Sequence, residues 1–300
     1  RVQGRLVALP WFIGAGVLYY RKDLLEKYRI PVPRTWDDLA AAAARIQAGE
    51  RAAGDPRMWG YVFQGRAYEG LTCNALEWLA SSGGGTVVDP SGRVSVDNPA
   101  AAAALDRAAG WVGTIAPRGV LNYMEEEARG VFQSGHAVFM RNWPYAWGLV
   151  QAPGSPVRGK VGMAPLPAGA GGAPAAALGG WSLAVSRFSR HPAEAAALAR
   201  YLTGAAEQRR RALGGEFLPT YRALYRDPEL RRRYPFLPEL RAILDGAVAR
   251  PSAATGWQYN RVSAAFWEAV HETLSGEASG AESLHRLADR LGRIRRRGGW

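Results

Sequence analysis

The chain has 300 residues, of which 48% are hydrophobic and 21% charged, and carries a formal net charge of +12 at pH 7. That length suits one large domain or two ordinary ones, and no run reaches the roughly 18–20 uninterrupted apolar residues that a membrane-spanning helix needs. Cys73 is the only cysteine, which excludes an intrachain disulfide and leaves the redox compartment open.

The opening "RVQGRLVALPW" has no basic start, apolar core and small-residue cleavage site, so it does not read as a signal peptide. A mature secreted chain or a fragment would begin in the same way. The first strand candidate is Val17–Tyr20. Thr35 with Asp38 three residues on reads as a variant capping box that opens a helix running to about Ala48. Tyr61–Phe63 is the next strand. Asn98 before Pro99 supplies an N-cap and a first-turn proline for a second helix. Asp106 and Arg107 interrupt its Ala-rich stretch and mark it as a helix in water. Strands follow at Ala137–Met140, Val161–Ala164 and Ser182–Val185. The uncharged Gly/Pro run 165–181 between the last two suits a flexible surface loop or a hinge neighbour. His191 and Pro192 open a third helix that extends to about Leu202, with His191 as its cap. Helices interspersed with strands point to an α/β layered architecture.

The basic balance raises nucleic-acid binding, because clustered guanidinium groups neutralise phosphates. The distribution favours solvated helix faces instead: apart from Lys22, Lys27 and Lys160 the cations are arginines scattered along helices. Enzyme chemistry fares no better. The four histidines, His136, His191, His271 and His285, have no metal-ligand spacing, and no nucleophile elbow or phosphate loop lies in a strand–helix context. Glu125–Glu127 diverge by about 100° per residue along a helix, so they read as an exposed face rather than a converging pair. No catalytic residue, metal or cofactor is expected.

The aromatic residues carry more information. The segment "HAVFMRNWPYAWGLV", 136–150, sets Arg141, Asn142 and Pro144 among Phe139, Trp143, Tyr145 and Trp147. Phe139 and Trp147 read as core, while Trp143 and Tyr145 flank a proline in a turn. Phe12, Trp181, Trp257 and Tyr259 also fall at loop or element ends, whereas Trp36, Trp78, Trp111 and Trp267 lie in helical patterns and read as core. An aromatic ring with a polar handle suits the C–H face of a sugar; core packing is the alternative for each ring taken singly.

Longer stretches carry a family resemblance. "LPWFIGAGVLYYRKDLLEKYRIPVPRTWDDLAAAA", "WGYVFQGRAYEGLTCNALEWLASSGGG", "MRNWPYAWGLV", "LGGWSLAVS" and "FLPTYRALYRDPEL" together resemble the extracellular sugar-binding proteins of ABC transporters, family 1 solute-binding proteins, in their trehalose/maltose-binding branch. The match runs over essentially residues 3–290. It implies a periplasmic-binding-protein-like fold, with two α/β lobes, a hinge and an interlobe cleft. Residues 17–160 would form the first segment of the second lobe, 161–208 with 1–16 the first lobe, and 209–295 the closing segment of the second lobe. Residues 296–300 would be a basic, unstructured tail. Relatives continue upstream, so the resemblance also implies an N-terminally truncated chain whose incomplete first lobe leaves strand edges unpaired.

The function so implied is a monomeric, non-enzymatic receptor for a disaccharide or short oligosaccharide. It would act in the periplasm or outside the cell, with a membrane anchor upstream as an option, and would deliver its ligand to a membrane-embedded ABC permease. A carbohydrate hydrolase is the alternative, and a nucleic-acid binder a more distant one. Carried onto matching positions, the ligand-binding residues would be Phe12, Trp143, Tyr145, Gly180, Trp181 and Arg250, with Tyr68, Glu69, Trp257 and Tyr259 around them. Gly14 stands where relatives tend to carry an aspartate. A hydrogen bond to a charged acceptor is worth about 1.5–3 kcal/mol, so the glycine implies a different sugar or weaker binding.

Overall fold

Strand pairing divides the chain between two sheets, seen in a computed structural model that describes residues 4–215 and 217–300. Residues 1–3 of the expected first-lobe segment, and Glu216 of the closing segment, lie outside the described residues. The strands in chain order are β1 (Leu9–Ala15), β2 (Val17–Arg21), β3 (Trp59–Val62), β4 (Ala137–Asn142), β5 (Val161–Ala164) and β6 (Leu178–Leu183). The larger sheet has the order β3-β4-β2-β5, with β3 parallel to β4 and the other two pairs antiparallel. β1 and β6 form a separate antiparallel ribbon.

Side chains alternate across the larger sheet, as the two-residue period of a strand requires. Leu18, Tyr61 and Phe139 enter one core, together with Trp36, Trp78 and Trp111. Val17, Tyr19, Val62 and Met140 enter the other, against Phe132, Val161 and Tyr234. Every residue of β4 is buried, because helices cover both faces of this central strand. The helices Glu69–Ser81, Pro99–Trp111, Tyr259–Ser275 and Gly280–Gly298 pack together on the tryptophan side. Trp78 sits edge-on to Phe63 at 5.4 Å and to Trp111 at 5.8 Å, a geometry that ring quadrupoles favour.

Local signals set most element starts. Thr35 accepts the Asp38 N–H and Asp38 accepts the Thr35 N–H, closing the capping box at helix Trp36–Ala52. Asn98 Oδ1 accepts the Ala101 N–H at 3.0 Å. The helix Pro192–Leu202 begins where expected, but the His191 ring makes no capping bond. β6 begins four residues earlier than the Ser182–Val185 reading, so the end of the Gly/Pro run is strand rather than loop. β5 pairs with β2 through Leu18↔Ala164 and Arg21↔Val161, so 161–164 belongs to the larger sheet. The terminal residues are not a loose tail: helix Gly280–Gly298 includes the arginines, and the Trp300 indole N–H donates to the Gly92 carbonyl at 3.0 Å.

The two sheets meet at a buried ion pair. Arg141 Nε donates to Glu77 Oε2 at 2.8 Å and Arg141 Nη2 to Glu77 Oε1 at 2.5 Å, with both side chains wholly inaccessible. Burial opposes the guanidinium charge, but the adjacent Glu77 carboxylate outweighs it and holds Arg141 above the usual arginine range. Gln64 Oε1 accepts from Arg141 Nη1 at 3.1 Å, and the Ala177 N–H donates to Glu77 Oε1 at 3.0 Å. A Cβ on Gly16 would lie 2.0 Å from Glu77 Oε1, so the link from β1 to β2 passes this pair only as glycine. Removing one partner of a buried pair strands the other charge and costs about 3–5 kcal/mol. Glu77→Ala should therefore lower the unfolding free energy by that amount in urea denaturation; a loss below about 1 kcal/mol would show that the pair does not hold this junction.

Candidate functional site

Three stretches of chain run side by side above the Glu77–Arg141 pair. Gly14 lies opposite Gly179, and Ile13 opposite Gly180, in the β1–β6 ribbon. Ala177 pairs in parallel with Val248, whose N–H donates to the Ala176 carbonyl at 2.8 Å. This places the residues from Ala177 to Trp181 between Phe12 on one side and Arg250 on the other.

Trp143 is the most restrained of the candidate residues. Its backbone carbonyl accepts from the Tyr19 hydroxyl at 2.9 Å, and its N–H donates to Asn142 Oδ1 at 2.8 Å. The Arg141 guanidinium lies 4.1 Å from the ring centroid, a cation–π contact made where water is excluded. The indole N–H donates to Glu125 Oε1 at 3.1 Å, and the other oxygen of that carboxylate accepts the Tyr68 hydroxyl at 2.7 Å. Tyr145 reaches the neighbouring Glu126 at 2.6 Å. Burial first, and then these carboxylates, push the Tyr68 and Tyr145 phenols far above their ordinary range, so both remain donors at neutral pH. A Cβ on Gly179 would come within 2.7 Å of the Trp143 ring, so this glycine lets the indole lie against the ribbon.

Arg250 belongs to a second cluster. Its Nη1 donates to Glu69 Oε1 at 2.6 Å, the Tyr259 hydroxyl donates to the same oxygen, and Ser263 Oγ donates to Oε2 at 2.5 Å. With these three protein donors, the Glu69 carboxylate holds Arg250 and Tyr259 in place. Burial works against Arg250's charge, but the adjacent Cys73, Tyr259 and Glu69 keep it above the usual range.

The structure thus joins Tyr68, Trp143, Tyr145 and Gly180–Trp181 into one group and Glu69, Arg250 and Tyr259 into another, linked through Tyr68–Glu69 and Ala177–Val248. Phe12 stacks on Phe217 at 4.1 Å and meets the Trp181 ring at 6.5 Å. Trp181 is 68% exposed and Trp257 75%, and Trp257 makes no ring contact among the described residues. Gly180 answers a backbone need: its φ is +136°, and a Cβ would sit 2.5 Å from the Phe12 carbonyl oxygen. Phe139 is fully buried and Trp147 packs on Phe236 at 4.7 Å, so both belong to the core.

The reading of Glu125–Glu127 as a plain exposed face needs correction. Glu125 and Glu126 begin helix Glu125–Gln133 and each receives an aromatic handle, while Glu127 accepts the Met124 N–H at 2.9 Å. Their divergence along the helix is what lets two of them hold Trp143 and Tyr145 separately. Acidic residues at a helix start beside a Trp-Pro-Tyr turn were the available signal, but their separation in sequence concealed the pairing. Gly14 has room for a side chain: a Cβ there would meet Pro144 Cδ at 3.5 Å and Trp143 Cε3 at 4.0 Å, both ordinary contacts.

Burial pushes the Cys73 thiol, 2% exposed, up to about 12. Only on the order of one part in ten thousand is thiolate at pH 8, so labelling with a disulfide reagent should proceed at the rate of local opening and accelerate sharply in urea. Rapid stoichiometric labelling of the native protein would contradict this packing.

Residues 2–209 match the family described as bacterial extracellular solute-binding protein. A probable ABC transporter-binding protein of Deinococcus radiodurans is 53% identical over 298 residues, covering 99% of this chain and 71% of that protein. Among solved structures, maltose-bound MalE3 of T. maritima superposes with a TM-score of 0.91 at 45% identity, over 98% of this chain and 74% of the other. The acarbose-binding GacH receptor of Streptomyces glaucescens gives a TM-score of 0.82 at 26% identity, over 98% and 72%.

Proposed function

Because this chain belongs to the bacterial extracellular solute-binding protein family, we propose that it is a non-enzymatic, monomeric receptor that captures a disaccharide or short oligosaccharide of the trehalose, maltose or sucrose kind between two lobes and delivers it to an ABC permease. The carrying observation is the Trp143 ring. Its edge and N–H are engaged by Glu125 and Gly179, and Arg141 lies over the ring, yet it stays half-buried beside Gly14 rather than sealed in the core. A ring so fixed loses little freedom when a sugar packs on it, which is how preorganisation raises affinity.

Around that ring the polar complement suits hydroxyl groups. Arg250 has guanidinium donors left over after Glu69, and Tyr68, Tyr145 and Tyr259 add phenol oxygens that can still accept. The maltose bound to the T. maritima relative and the acarbose bound to the Streptomyces receptor support the same ligand class. A hydrolase is not favoured: the carboxylates of Glu69 and Glu125 each serve two or more protein donors, and the matching family consists of solute-binding proteins. The family's extracellular character agrees with a periplasmic or external location, and no described helix is long and apolar enough to cross a membrane.

Intrinsic tryptophan fluorescence titrated with maltose, trehalose, sucrose and glucose should show one saturable disaccharide response. Trp143→Ala should weaken that response by about thirtyfold or more, the scale of a central aromatic contact worth about 2 kcal/mol. Silence towards all the disaccharides would overturn the assignment. Gly14→Asp fits sterically and adds an acceptor beside Trp143, so it should tighten the preferred disaccharide by about tenfold; unchanged or weaker binding would show that the ligand does not place a hydroxyl there.

A further inference from the structure

The helix Gly280–Gly298 buries Leu284, Leu287 and Leu291 and turns its other side outwards. That outer side is basic towards its C-terminal end, with Arg290, Arg293, Arg295, Arg296 and Arg297 all exposed. A groove of about 460 Å³ runs between this helix and Tyr259–Ser275, lined by Arg261, Arg290, Arg293 and Arg297 over a floor of Ala264 and Ile294. A second hollow of about 780 Å³ on the other flank is lined by Arg93, Arg293, Arg295, Arg296 and Trp300, with one carboxylate, Asp289, among them. Arg293 faces both.

Several arginines elsewhere on this surface have carboxylate partners. Arg209 is paired with Asp227 and Glu229, Arg210 with Glu207, and Arg286 with Glu272. At the terminal groove, Arg290 is paired with Glu268 and Arg93 with Asp89. Arg261, Arg293, Arg295, Arg296 and Arg297 form no ion pair among the described residues. Like charges held this close repel one another, and an external anionic surface would relieve them.

The location adds a constraint. A Cβ on Gly298 would fall against Gln258 Nε2, and Gln258 lies between the exposed Trp257 and Tyr259 of the candidate site. The C-terminal end of Gly280–Gly298 therefore packs against the start of Tyr259–Ser275, while the groove residues Arg261 and Ala264 lie on the face of that helix turned away from Tyr259 and Ser263. The apolar half of the helix is committed to the core, so this face has nothing to insert into a bilayer. Its contact with any membrane would be electrostatic. The Trp300 indole N–H is tied to the Gly92 carbonyl at the edge of the second hollow.

We propose that this arginine face docks the protein on an anionic membrane surface, with guanidinium groups contacting phospholipid headgroup phosphates. This goes beyond ligand capture and does not depend on which sugar is bound. Each basic side chain close to an anionic leaflet is worth roughly fivefold in partitioning. Removing two should therefore cost on the order of twentyfold.

The test is co-sedimentation of the whole chain with vesicles of phosphatidylglycerol and phosphatidylcholine, against vesicles of phosphatidylcholine alone, at about 0.05 M and about 0.5 M salt. Binding should require phosphatidylglycerol and disappear at the higher salt. The double variant Arg293→Gln, Arg297→Gln should lower partitioning about twentyfold. The double variant Arg226→Gln, Arg232→Gln removes the same charge elsewhere and should lower it by less than about threefold. Equal losses in the two variants would reduce the effect to net charge and overturn the docking face. So would equal binding to neutral vesicles, no binding to either kind, or tighter binding to a DNA duplex than to the anionic vesicles.

Discussion

The Glu77–Arg141 pair is the constraint on which the junction depends. Two charges buried without water are tolerable only with close geometry and further hydrogen bonds. Here both carboxylate oxygens are used by the guanidinium, and one also accepts from the chain entering β6. The link from β1 to β2 crosses against the pair at Gly16. Arg141 then lies over the Trp143 ring, so one ion pair positions both connections between the sheets and the central aromatic of the candidate site. An apolar replacement of similar volume could fill this space, but it could not fix two backbone crossings and a ring together.

Carboxylates organise the site from behind. Glu125 holds Trp143 and Tyr68, Glu126 holds Tyr145, and Glu69 holds Arg250, Tyr259 and Ser263. In each case the acid takes the polar end of the side chain and restricts its rotation. What remains for a ligand is ring surface and spare lone pairs on the phenols, or spare guanidinium N–H groups. Side chains held in this way have little rotational freedom left to lose.

The net positive charge has two distinct components. Arg209 and Arg210 on the helix Ala205–Leu213 are paired with Asp227, Glu229 and Glu207, as on an ordinary solvated face. Those at the end of Gly280–Gly298 are gathered by helix packing beside Arg261, where only Arg290 has a carboxylate partner, Glu268, among the described residues. A stripe along one helix and a groove between two helices have the same composition but differ in field, because only the groove concentrates like charges from separate segments.

Family motifs, local period and capping chemistry made much of this molecule legible. The α/β alternation, the capping box at Thr35, the N-cap at Asn98, β5 and the core tryptophans all follow from patterns spanning a few residues. The resemblance names Phe12, Trp143, Tyr145, Gly180, Trp181 and Arg250 as ligand-binding candidates, and the structure puts Arg250 with Glu69 and Tyr259 in a cluster apart from Trp143 and Tyr145. What escaped depends on partners distant in sequence. Glu77 and Arg141 are 64 residues apart, Tyr19 and Trp143 are 124, and Glu69 and Arg250 are 181. The assignment of 161–164 to the larger sheet, the anchoring of Trp300 and the role of Glu125 likewise required the strands and helices to be docked. Sequence by itself determined the elements with clear caps and periods, such as the helices after Thr35 and Asn98 and strand β5, because backbone propensity and side-chain period act locally; β1 and the start of β6 became strand through their pairing with each other. Only the tertiary structure decided which acid meets which aromatic or arginine, because burial makes such pairings obligatory only where packing has already removed water.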